Sequence, residues 1–153
     1  MSDDDLRAFI VREMASNGAD WDAALDLVFR CDGIPDRAVR ARTLGKLLLM
    51  SNHRHHQGVT MAMQQLADPA GIAAIRARLD TGFDDLAYTC SDDIVIAKWF
   101  SHALWKIGTP EAIALIRRHA SSANAQVAEE MTYRLERIAQ DTPELLAQTG
   151  AAD

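Results

Sequence analysis

Ala103-Leu104-Trp105-Lys106-Ile107-Gly108-Thr109-Pro110-Glu111-Ala112 is a helix end and a helix start written without a linker. Ala103, Leu104 and Ile107 keep the three-and-four spacing of an apolar helical face, and Gly108 supplies the left-handed residue on which helices commonly stop. Thr109 then offers a side-chain oxygen to first-turn amides. Pro110 takes the first helical position, where its missing N–H costs nothing. The same grammar stands 41 residues earlier, in Ala62-Met63-Gln64-Gln65-Leu66-Ala67-Asp68-Pro69, and that offset also sets Ile75 on Ile116 and Arg76 on Arg117. A period near 40 belongs to two-helix repeats, whose single units bury too little apolar surface to fold alone and therefore stack. The alternative is an irregular helical bundle in which two tight turns look alike.

Helical periodicity continues outward from these segments in both directions, and no usable stretch carries strand alternation. Leu6, Phe9, Ile10 and Met14 mark a first helix and Trp21, Leu25, Val28 and Phe29 a second. Residues 36–50 form a third, with Val39, Leu44, Leu47 and Leu48 as core. The pattern breaks at residues 51–58 and resumes with Val59, Met63 and Leu66; Ile72, Ile75 and Leu79 line the next helix. Residues 81–91 read as a longer loop with packed aromatics. Ser91 or Asp92 caps a helix through Ile96, Phe100, Leu104 and Ile107; residues 124–140 give the last long helix, and Thr142-Pro143-Glu144 opens a short one. The expected architecture is all-α: an α-solenoid (alpha-alpha superhelix) of stacked antiparallel helix pairs, one domain over residues 1–153, clearest at about 58–80 and 92–120.

The segment around Gly108-Thr109-Pro110, continuing through Ala114-Leu115-Ile116, resembles HEAT repeats, especially the short HEAT-like repeats of phycobilin lyases and many bacterial proteins; Asp68-Pro69 with its preceding helix is a weaker copy. The resemblance covers residues 58–139 and implies a solenoid with a concave binding face. It also implies kinship with small bacterial immunity or adaptor proteins. No catalytic motif of the lyase relatives carries over to a residue of this chain, and fold alone names no substrate.

Composition bounds the function. Forty-eight per cent apolar and 25% charged residues are those of a folded globule, and a net charge of -6 weighs against a protein whose work is neutralising phosphates along a duplex. Cys31 and Cys90 form neither a metal-type pair nor a disulfide framework, and read as free thiols. The acidic start, Met-Ser-Asp-Asp-Asp, is unlike a signal peptide, and no apolar run approaches the ~20 residues that span a bilayer. A cytoplasmic location with no membrane role is expected. Charge is segregated: the first 26 residues hold seven acids against two arginines, whereas residues 30–54 hold five arginines and Lys46 against Asp32 and Asp36.

Two function classes follow. The first is a non-catalytic protein-binding module without a cofactor, docking another protein through arginines and tryptophans. Arg76 and Arg117 share a repeat position and, with Arg78, Arg118 and His119, form a strip suited to carboxylates; Trp99, His102 and Trp105 share one side of their helix, as an aromatic anchor or as a central helix contacted on both flanks. The strip equally suits a rim that satisfies the protein's own acids. The second class is a metal-dependent or cofactor-associated enzyme built on the loop with His53, His55 and His56, completed by Asp92, since imidazole and carboxylate together suit zinc, nickel or iron. That spacing matches no specific ligand motif, and a polar helix entry explains it as well.

Overall fold

The computed structural model describes residues 34–148 together with Ser2, Asp5, Ala8, Ile10 and Arg12. The two helices expected before residue 34, and Cys31, lie outside that description apart from these few positions. Six α-helices follow: α1 (Arg37–Leu49), α2 (His56–Leu66), α3 (Ile72–Thr81), α4 (Asp93–Ile107), α5 (Pro110–His119) and α6 (Ala125–Asp141). Short 3-10 turns lie at Pro69–Gly71, Asp84–Thr89 and Pro143–Leu145, and there is no strand among the described residues.

The starts follow capping chemistry. Asp36 accepts from the Val39 amide, Thr109 from Ala112, and Asn124 from both Gln126 and Val127, satisfying first-turn donors that have no partner within the helix. Helix α2 begins at His56, three residues before the apolar period resumes at Val59, because the buried His56 ring belongs to the interior. The segment read as a loop holds a 3-10 turn that seats Phe83 and Leu86 in the core.

Each helix packs on the next but one. Helices α1, α3 and α5 make one row and α2, α4 and α6 the other; α1 meets α2, α4 meets α5, and α5 meets α6 across the rows. Helix α4 is flanked by α2, α5 and α6, so it is apolar on several sides and buries Ile96, Ala97, Phe100, Ala103 and Leu104. Close approach within a row depends on size: a Cβ on Gly45 of α1 would lie 2.9 Å from the Ala74 Cβ of α3.

The two proline turns share their construction. Ala67 and Gly108 both adopt left-handed backbone, with φ of 53° and 67°, and each precedes a capping side chain and a proline. They differ in the first turn after the proline, which is 3-10 at Pro69 and α-helical at Pro110. Alanine carries a Cβ penalty in this conformation that glycine escapes. Ala67→Gly should therefore raise stability by about 0.5–1 kcal/mol in urea denaturation. Gly108→Ala should lower it by about 1–2 kcal/mol, as its Cβ would also sit 3.3 Å from the Trp105 carbonyl oxygen. Changes of opposite sign would be missing if the two turns were not the same device.

Candidate functional site

The histidine segment closes the end of α1. A helix leaves its last carbonyls without partners, and here side chains supply them. His53 Nε2 lies 2.6 Å from the Leu47 carbonyl oxygen, and His56 Nε2 lies 2.6 Å from that of Met50. Arg78 of α3 donates to the Leu48 carbonyl through Nε at 3.2 Å and Nη2 at 2.6 Å, and through Nη1 to Asp85 at 2.6 Å. A guanidinium here also meets the negative end of the α1 dipole.

The partners fix the protons. A carbonyl only accepts, so Nε2 carries the hydrogen on both rings, and each Nδ1 is an acceptor. His53 Nδ1 accepts from the His55 amide at 3.0 Å. His56 Nδ1 accepts from the Tyr88 hydroxyl at 2.6 Å, and that hydroxyl oxygen accepts in turn from the His56 amide at 3.2 Å. The rings of His53 and His56 stack with centroids 4.0 Å apart. Burial, opposed by the bond to Leu47, pushes His53 down to about 4, and burial lowers His56 in the same direction. Both imidazoles are neutral, with the two nitrogens of each ring engaged inside the protein. Asp92 stands apart, exposed before the first turn of α4, and no three His, Cys, Asp or Glu side chains converge as a metal set among the described residues.

A second polar cluster joins α4 to α6. Glu130 and Arg134 pair at 2.9 Å with side chains only 7% and 4% exposed. Ser101 donates to Glu130 at 2.8 Å and accepts from Arg134 Nε at 3.2 Å. Arg134 also donates to His102 Nε2 at 3.0 Å, and its guanidinium lies over the rings of Trp105 and Tyr133, 5.3 and 5.5 Å from their centroids. Trp105 donates to the Thr142 hydroxyl at 2.9 Å. The structure thus brings His102 and Trp105 together around Arg134, while Trp99 is half-buried against the core.

The arginines lie in the other row. Arg76 bonds Glu111 at 2.9 Å, bridging α3 and α5 on the surface, and Arg117 donates to the Leu146 carbonyl at 2.8 Å. Arg118 lies 3.4 Å and His119 Nε2 3.5 Å from Asp80. Each sequence-chosen arginine thus has an intramolecular contact, the rim arrangement the strip equally suited.

Arg78, expected on the exposed strip, is instead buried against the end of α1 with Asp85 as its partner, and sequence reasoning passed over Ser101, Glu130 and Arg134. One signal was available: Glu130 and Arg134, four residues apart, fall inside the apolar stripe of Val127, Met131 and Ile138, where a charge pair has no solvated face. No family model, curated protein or solved structure matches the chain.

Proposed function

We propose that the chain is a HEAT-like α-solenoid working in the cytoplasm as a protein-binding module, an adaptor or immunity protein being its concrete form, and that it performs no chemistry of its own. The observation that carries this reading is the next-but-one packing of its helices in two rows, joined by the recurring left-handed residue, cap and proline. Such an array gives each row a broad solvent face formed by side chains from successive helices. The occupation of the interior polar groups favours the same reading: His53, His56, Arg78, Glu130 and Arg134 bond to protein groups of the fold. No helix among the described residues is long and apolar enough to cross a membrane.

The test uses a photo-crosslinking amino acid placed in turn at Ala73 of α3 and Thr132 of α6, both exposed and one on each row. In the source cell, at least one site should give a discrete covalent adduct with a single protein. A chain that forms no adduct from either row is not a binding module of this kind.

A further inference from the structure

We infer that the solvent face of the α1, α3 and α5 row is a docking surface for an extended acidic protein segment; the inference rests on the binding-module reading and specifies its partner. The chain carries a net charge of -6, yet this face has the opposite sign. Arg42 and Lys46 of α1, Arg76 of α3, and Arg117 and Arg118 of α5 stand on it, against Asp80 and Glu111. Arg42 and Lys46 are exposed and form no ion pair among the described residues. Arg117 spends one N–H group on a carbonyl, which leaves its charge unneutralised. The two carboxylates tether Arg76 and Arg118 between the helices, so part of the cationic surface is held in place before a partner arrives.

The alanines between these cations make the face low. Ala73 is exposed on α3, and Ala77 and Ala114 are partly exposed on α3 and α5, so a backbone can approach the row closely. Neighbouring helices in a packed row lie about 8–10 Å apart, and an extended chain advances about 3.3 Å per residue. A strand crossing the row therefore meets a new helix about every third residue. The matching partner carries an Asp or Glu at that interval, each carboxylate meeting a guanidinium that can bind it in bidentate fashion. A nucleic acid duplex is disfavoured, because its continuous phosphate charge would also meet Asp80, Glu111 and the acidic remainder of the molecule.

The experiment is fluorescence anisotropy of the intact chain with a labelled 15-residue peptide bearing Glu at every third position, beside the same peptide with Gln and a 20-base-pair duplex. The Glu peptide should bind at least tenfold more tightly than either, and raising salt from 50 to 300 mM should weaken it severalfold. The pair Arg42→Glu, Lys46→Glu and the single Arg117→Glu should each lower affinity more than tenfold. Lys98→Glu with Lys106→Glu, on the other row, should leave it within twofold. Should a charge reversal unfold the chain by circular dichroism, Arg42→Gln, Lys46→Gln and Arg117→Gln take its place, with a fivefold loss expected. Equal binding of the Gln peptide, tighter binding of the duplex, or equal sensitivity to the α4 lysines would overturn the assignment. In the crosslinking experiment, an adduct from Thr132 without one from Ala73 overturns this face but leaves the module reading standing; silence from both overturns the two together.

Discussion

Glu130→Ala is expected to destabilise the protein by about 3–5 kcal/mol, the cost of leaving a buried charge without its partner. The substitution strips Arg134 of its counter-charge at a site where the two side chains are 4% and 7% exposed, and it removes the acceptor of the Ser101 hydroxyl. Water cannot readily replace either contact at that depth. For a chain of this length each kcal/mol moves the melting temperature by about 2–4 °C, so the transition should fall by about 6–20 °C. Glu130→Gln should lie between the two, because its amide oxygen still accepts from Ser101 and Arg134 while the charge is gone. The double change Glu130→Leu, Arg134→Met removes both desolvation penalties and should recover more than half of the single loss. Urea denaturation of this double variant and of Glu130→Leu and Arg134→Met singly, followed at the helical circular dichroism band, completes the double-mutant cycle. Strict additivity of the two single changes would show that the pair is not a buried unit joining α4 to α6.

The helical course was legible because its signals are local. Gly108-Thr109-Pro110 specifies a stop, a cap and a start through backbone chemistry that no tertiary contact needs to supply, and the helix boundaries there match the expectation. Asp68-Pro69 was legible for the same reason, whereas the left-handed Ala67 before it was not, since alanine does not announce that conformation. Helix α2 was placed three residues late. Its first residue, His56, is polar by type but buried by contact, and only the fold reveals that Tyr88 and the end of α1 surround it. The histidine segment illustrates the wider difficulty. Imidazoles close in sequence suggest a ligand set, but the carbonyls they satisfy belong to every residue type and leave no mark in the sequence. Arg76 and Arg117 lie on α3 and α5, yet their partners Glu111 and the Leu146 carbonyl are long-range and could not be read.

Acid should unfold the protein earlier than its carboxylates alone require, and His53 is the main reason. Its imidazole takes up a proton near 6.5 in the unfolded chain, whereas burial in the fold delays uptake to about 4. The stability this difference contributes is therefore complete above pH 6.5, declines as pH falls through the window, and is lost below about 4. Its size is about 3 kcal/mol, at roughly 1.4 kcal/mol for each pH unit of displacement. Geometry supplies the cause. A proton on His53 Nδ1 would face the His55 N–H that it now accepts from, and the resulting charge would stack 4.0 Å from the His56 ring. His56, His102 and His119 are lowered mainly by burial, so each adds to the loss in the same direction. Carboxylates also begin to titrate near pH 4, and the variant His53→Gln separates the two effects. Its amide nitrogen reaches the position of Nε2, keeping a donor for the Leu47 carbonyl while removing the titration. Unfolding free energies measured in urea from pH 7 to 4 should fall less steeply in His53→Gln than in the parent, by up to one proton's worth of slope. The two curves, separated at neutral pH by the cost of an imperfect donor, should converge as the pH is lowered. Parallel curves throughout would mean that His53 gains its proton in the folded chain as readily as in the unfolded one, and the closed end of α1 would then owe nothing to a neutral imidazole.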